Sequence, residues 1–487
     1  MKKIQTVLFL IFVIVNQISS QIIAFPGAEG FGKYALGARV SSTPQVYHVT
    51  NLNDAGTGSF RDAVSVSNRI VVFDVAGVIK ITSRIVVSSN IYIAGQTAPG
   101  EGITIYGNGF SFSNADNVIC RYLRIRMGAV GDSGKDALGI AEGSNMIFDH
   151  VSVSWGRDET FSISGEACIN ITIQNSIISQ GLLSHSAGGL IQTDGGVTLY
   201  RNLYVDNDTR NNKIKGVNQY VNNVVYNWSS GAYIMGGDSE GQSYANCESN
   251  YFINGPLNSV AALSGANANF HIYAQDNWWD KNRNGVVDGY LVPQNEYSGG
   301  PDFQTTPYNY PALPKWNASM LIDSVLPFVG ASLPYRDLAD CYVVNEVRSF
   351  GKKGNVISNE NELSIGIPTA WNVWTGTKRT DTDNDGIPDD WENTNGLNKS
   401  DATDAVKKAA NGYLNIENYI NGITFAYSQD FLRAPLNLTT DSVTQNNIYL
   451  TWFDFTDKET GYCIEQKIGG TFTEITRIDK NISTFNV

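Results

Sequence analysis

The chain has 487 residues, 42% apolar and 11% aromatic, which suffices for a large core and suggests about two to four domains. Its formal net charge of −13 argues against nucleic acid as a partner, because phosphate binding needs a basic surface. Five scattered cysteines, Cys120, Cys168, Cys247, Cys341 and Cys463, argue against a disulfide scaffold and read as single buried thiols.

Residues 1–20 read as an export signal. Lys2 and Lys3 form its basic start, Val7 to Val15 its apolar stretch, and Ile18-Ser19-Ser20 a cleavage site before Gln21. The apolar stretch is too short to cross a bilayer, and no later segment is apolar enough to do so. The expectation is a secreted protein, whether periplasmic, surface-held or released, without a membrane span.

Beyond residue 90 the chain repeats. Runs rich in Ile, Val, Tyr and Phe begin at Asn90, Asn117, Asn145, Asn170, Gly196, Gln219, Tyr244 and Phe270. The steps are 27, 28, 25, 26, 23, 25 and 26 residues. Such runs suit strands, and a period in this range indicates a stacked architecture. No helical pattern separates them, so the expectation is all-β, a right-handed parallel β-helix. Asn175, Asn202, Asn223 and Asn250 recur at the turns, where asparagine tolerates left-handed backbone and bonds locally. They read as structural.

The repeat fades after Pro334, and Asp337 to Pro368 reads as a lateral extension against the coil. The expected β-helix domain, with that extension, spans residues 21–370. Residues 371–433 hold an acidic loop, Asp381-Thr-Asp383-Asn-Asp385-Gly386-Ile387-Pro-Asp389-Asp-Trp-Glu392. Acids fall at positions 1, 3, 5, 9 and 12, with glycine at the sharp turn and the Ile387 carbonyl at position 7, as a calcium loop requires. This loop reads as a structural clip. Beyond Arg433-Ala434-Pro435, residues 434–487 alternate as strands around Trp452. They read as a small, truncated β-sandwich and resemble part of a fibronectin type III module.

A column of chemistry-bearing residues follows from the same period. Asp136, Asp158, His185 and Arg210 are separated by 22, 27 and 25 residues. One turn per ~25 residues stacks these positions, with parallel neighbours about 4.8 Å apart. Glu159, next to Asp158, faces the opposite way if both lie in a strand.

The ordered strings AFPGAEGFGKYALGARV, VYHVTNLNDAGTGSFRDAV, IAGQTAPGEGITIYG, RYLRIRMG, DALGI, FDHVSVSWGRDE and TRNNKIKG resemble polysaccharide lyase family 1, the pectate lyase family, over residues 22 to 350. The resemblance implies a parallel β-helix that cleaves polygalacturonate by β-elimination with Ca2+. It also implies an acidic polysaccharide partner, and a monomer is expected. Asp136 matches a family calcium ligand, Asp158 matches a second, and Asp132 is a further candidate on the loop. Arg210 matches the proton-abstracting arginine. A guanidinium accepts a proton only where neighbouring cations and desolvation disfavour its charged form. Lys213, Lys215 and bound calcium supply such cations. Lys215 stands where a second substrate-binding arginine is usual, keeping the charge without the fork. Asp149-His150 matches a family pair that reads as an internal hydrogen-bond network. Trp155 reads equally as a sugar platform or as core.

Two departures bear on specificity. Ser162 stands where many members carry another acid, and Ala187 where many carry a lysine that His185 partly replaces. They open alternatives: a pectin lyase, a lyase on another uronate polymer, or a non-catalytic pectin-binding protein. A pectin hydrolase is a further class, since it needs two carboxyls set for acid and base work. Its coil strings are absent here.

Overall fold

The computed structural model describes residues 21–236, 241–257, 260–424, 435–453, 459–480 and 482–487. The export signal and the Arg433-Ala434 part of the expected boundary lie outside them.

All eight runs form strands and pair in parallel. Ile91–Ala94, Ala115–Arg121, Gly143–Asp149, Cys168–Gln174, Leu190–Tyr200, Lys213–Val221, Ser243–Glu248 and Phe270–Gln275 follow one another in one sheet. Gln45–Val49 and Arg69–Phe73 precede them. A second sheet stacks the next strand of each coil, from Gly77–Lys80 to Trp278–Asp280. The fold is thus the expected parallel β-helix.

Each turn sends alternate Ile, Val and Phe side chains inward, where they stack on their equivalents in the next turn. Phe148 packs edge-on between Phe112 and Phe161, with ring centroids 5.0 and 5.1 Å away. Each such contact is worth about 0.5–1.5 kcal/mol beyond the area it buries.

One corner carries a ladder of buried amides. Asn202, Asn223, Asn250 and Asn277 each occupy a two-residue connection between the sheets. The side-chain oxygen of each accepts the backbone N–H of the equivalent residue one turn earlier: Asn202 from Ser176 at 3.0 Å, Asn223 from Asn202 at 3.0 Å, Asn250 from Asn223 at 2.8 Å and Asn277 from Asn250 at 3.2 Å. The ladder satisfies corner backbone that would otherwise be buried without a partner. Asn175 stands outside it, at φ 51°, and bonds Asp149 instead.

The opening AFPGAEGFG segment lies across the first sheet. The Gly32 N–H donates to Thr172 Oγ1 at 2.8 Å. A Cβ at Gly32 would stand 2.1 Å from the Met146 carbonyl, so only glycine permits this approach.

A short helix, Leu321–Val325, precedes the lateral extension, and the extension itself opens on the helix Leu338–Val347. The acidic-loop region docks on the first turns. Ile387, Leu414, Ile416, Tyr419 and Ile420 share an apolar cluster with Ile70, Val72 and Tyr92, and Arg39 pairs with Glu417 at 2.9 Å. Residues after 435 form two antiparallel sheets, one of Leu436–Val443, Ile448–Phe453 and Thr484–Asn486, the other of Gly461–Ile468 and Thr471–Asp479. Trp452 is buried, with its ring 5.4 Å from Tyr462. Four cysteines are buried and free as expected, but Cys463 is exposed on a strand of the outer hairpin. Among the described residues no helix is long and apolar enough to cross a membrane.

Candidate active site on the coil wall

The column forms on one wall, on the connections that leave the second sheet. Asp132 and Asp136 lie between Arg126 and Leu138, Asp158 and Glu159 between Ser154 and Phe161, His185 between Ser179 and Leu190, and Arg210 between Val205 and Lys213. Short parallel bridges tie Glu159 to Ala187 and Ala187 to Thr209. The Glu159 carbonyl accepts the Ala137 N–H at 3.0 Å. These bonds hold the loops in register at Ala137, Glu159, Ala187 and Thr209.

Glu159 occupies the centre, a correction to the alternation reading. Its carboxylate is paired with the Arg210 guanidinium, and its N–H reaches Asp136 Oδ1 at 3.3 Å. Residues 157 and 158 form a bend, where strand alternation does not apply, so Asp158 and Glu159 serve the same wall. His185 Nε2 stands 3.4 Å from Asp158 and 3.8 Å from Glu159. These three side chains offer atoms within 4.8 Å of one another. Asp132 is exposed on its loop, and neither it nor Asp136 is in that group.

Burial pushes the Asp136 carboxyl up to about 7, and repulsion from Glu159 and Asp158 adds to it. The Glu159 N–H and the Arg84 charge pull the other way. Arg84 donates to the Asp136 carbonyl at 2.5 Å and to the Phe110 carbonyl. It comes from an earlier coil and carried no signal in the sequence. The Asp158 and Glu159 carboxylates are grouped, and Asp136 joins them through the Glu159 N–H; such oxygen donors fit a hard cation such as calcium.

Lys213 and Lys215 lie on the strand after Arg210, with buried Ile214 between them. They are in register with Leu190 and Gln192 of the preceding turn. Ala187 is fully buried, and Ser162 Oγ accepts the Leu190 N–H at 3.1 Å.

Asp149 and His150 belong to a buried network away from the column, where Gln174 also bonds Gly27 and Arg121 lies over the Phe25 ring. Asp149 accepts from Arg121 Nε at 2.9 Å, Gln174 Nε2 at 2.9 Å and Asn175 Nδ2 at 3.0 Å, with His150 Nδ1 2.9 Å away. Burial raises its carboxyl, but His150, Arg121 and Asn175 outweigh burial and hold it well below the usual range. This stabilisation is present above the ordinary carboxyl pKa of about 3.9 and is lost as pH falls below it. Asp149→Asn is expected to cost about 1–3 kcal/mol at neutral pH and to flatten the acid limb of stability, measured by urea unfolding from pH 3 to 7. Trp155 is also core, fully buried with its N–H on Gln180.

At the acidic loop, Asp381, Asp383 and Asp385 converge, and Asp385, Glu392 and Asp404 form a second group. Asp389 faces elsewhere: its carboxylate accepts from Thr382 N at 2.8 Å and Thr382 Oγ1 at 2.7 Å, and Lys399 lies 3.4 Å away. Ile387 is fully buried, its N–H on Asp385 Oδ1 at 2.8 Å.

The stacked coil, with a guanidinium beside carboxylates on its outer wall, defines the class as a parallel β-helix with an acidic and basic surface site. No family model matches the chain. It is 55% identical over 410 residues to the probable pectate lyase C of Aspergillus fumigatus, covering 84% of this chain and 95% of that protein. It is 52% identical over 407 residues to the protein of the same name from Emericella nidulans, covering 83% and 94%. The chain belongs to the pectate lyase family. Among solved structures, a pectate lyase bound to hexasaccharide aligns with 13% identity and a TM-score of 0.45, over 64% of this chain and 98% of that one.

Proposed function

We propose that the protein is a secreted pectate lyase that cleaves polygalacturonate by calcium-assisted β-elimination, with Arg210 as the base. The observation that carries this reading is the seat of the Arg210 guanidinium on Glu159, beside Asp136 and Asp158 on one wall. Asp136, Asp158 and Glu159 are the residues that would hold the cation. When bound, calcium offsets the charge of the uronate carboxylate that otherwise opposes loss of the neighbouring C5 proton.

Arg210 takes that proton. The C–H electron pair becomes the C4–C5 double bond as the C4–O bond breaks, and the leaving oxygen takes a proton from solvent. The ion pair with Glu159 favours the charged guanidinium, so Glu159 must release Arg210 before it can take the proton, and Glu159 would then be available as a ligand for the cation. Lys213, Lys215 and His185 bind substrate carboxylates and hydroxyls.

On the same reading, residues 1–20 direct export and residues 21–370 are the lyase domain. Residues 371–433 form a structural calcium region and residues 434–487 a fibronectin type III-like module. The protein works as a monomer.

Incubation with polygalacturonate is expected to release products with unsaturated ends, followed by ultraviolet absorbance and mass spectrometry, and chelation is expected to abolish that release. Reducing sugar with no unsaturated end would overturn the reading in favour of hydrolysis. Polymer binding with no turnover, calcium present, would leave a binding protein.

A further inference from the structure

The loop region packs five acids into one place, and among the described residues no basic side chain is bonded to its centre. Glu392 is fully buried, and neither of its carboxylate oxygens has a hydrogen-bond donor. Asp385 is 3% exposed and Asp404 6%, and each leaves one oxygen, Oδ2 and Oδ1 respectively, equally orphaned. Buried carboxylates without donors cost several kcal/mol unless something positive sits between them.

We infer that this region binds two divalent cations, bridged by Asp385, with Asp404 as a ligand of the second. Asp381, Asp383 and Asp385 present oxygens within 4.8 Å of one another, and so do Asp385, Glu392 and Asp404. That spacing suits oxygens arranged around one ion with bonds of about 2.3–2.6 Å. Asp385 is common to both groups, Glu392 and Asp404 share a group with it and not with Asp381, and each group takes one ion. Charge agrees: five carboxylates around one divalent ion keep a large negative excess in a buried place, and two ions nearly cancel it. Donors that are all oxygen, with no nitrogen or sulfur, select a hard ion, and dry carboxylates favour calcium over magnesium, which keeps its waters.

Asp404 lies twelve residues beyond Glu392, outside the linear motif. Its other oxygen accepts the Asn398 N–H at 2.9 Å, which fixes the second loop over the first. Asp389, the motif's ninth position, is committed to Thr382 and Lys399. The two ions therefore join two loops, and those loops carry Ile387 and the helix Asn415–Gly422 onto the first coils. Cation binding here clamps this region to the β-helix.

The inference rests on the calcium-loop reading and is independent of the lyase reading. The test uses the full chain carrying Asp136→Asn, Asp158→Asn and Glu159→Gln, which removes the coil-wall site. Calcium is titrated calorimetrically, and terbium luminescence is excited through Trp391, the neighbour of Glu392. Two ions per chain are expected, with a rise in Tm. Adding Asp404→Asn should leave one ion and weaken the other by on the order of tenfold or more, with Asp381→Asn weakening the complementary ion. In the otherwise wild-type chain Asp404→Asn should leave the initial rate of lyase turnover at saturating calcium unchanged. One ion per chain, held equally with and without Asp404→Asn, overturns the bridged pair but keeps a calcium loop. No ion at all overturns both. Circular dichroism of each variant verifies that the coil remains folded.

Discussion

Arg210→Ala is expected to lower kcat on polygalacturonate by about 10²–10⁴-fold, the usual contribution of a positioned proton-transfer group. KM should change much less, because Lys213 and Lys215 remain on the adjoining strand. The variant also leaves Glu159 without its ion-pair partner, 7% exposed beside Asp136. Calcium affinity should therefore rise or hold while turnover collapses. Arg210→Lys keeps the charge but not the planar reach and should remain strongly impaired. Initial rates from the ultraviolet absorbance of unsaturated ends, with calcium affinity measured in parallel, separate the two effects. Near-normal kcat in Arg210→Ala ends the assignment of this residue as the base.

Arg126→Leu is expected to destabilise the fold by about 3–5 kcal/mol, the usual result of leaving buried charge unpaired. Arg126 is fully buried on the second sheet and donates to Asp337 Oδ1 at 2.7 Å, Asp337 Oδ2 at 3.1 Å, Asp340 Oδ1 at 2.7 Å and Ser154 Oγ at 3.0 Å. The two aspartates open the helix Leu338–Val347, with Asp337 as its N-cap. One guanidinium thus pins the lateral extension to the coil. Burial raises the Asp337 carboxyl, but Arg126 and Arg124 outweigh it and hold it below the ordinary range. The wild type should lose this stabilisation as pH falls below about 3.9, whereas the variant should lack it at neutral pH already. Urea unfolding of both chains at pH 7 and pH 3 reads this out. Equal midpoints at pH 7 would remove the clamp.

The coil was legible because its period is written in apolar residues. The runs from Asn90 to Phe270 recur at nearly constant steps, and each became a strand in parallel register. The column was legible for the same reason, since Asp136, Asp158, His185 and Arg210 follow that period. Glu159 joins the wall because a two-residue periodicity holds only within a strand, and residues 157 and 158 form a bend. Arg84, Asp404 and the Arg126–Asp337–Asp340 cluster left no trace in spacing. Arg126 and Asp337 are 211 residues apart and meet only because a non-repeating segment folds back on the coil. Asn175 was read with the corner asparagines, yet Ser176 holds that rung and Asn175 turns to Asp149.

The amide ladder has a bearing on how such a molecule can vary. Each step from Asn202 to Asn277 occupies the same short connection and hands one bond to the next, so an insertion there would interrupt every rung above it. The connections that bear Asp136, Glu159, His185 and Arg210 obey no such constant length. Diversity is therefore channelled to one side of the cylinder: grafted or lengthened segments there can reshape what the groove accepts while the opposite edge stays as an invariant spine.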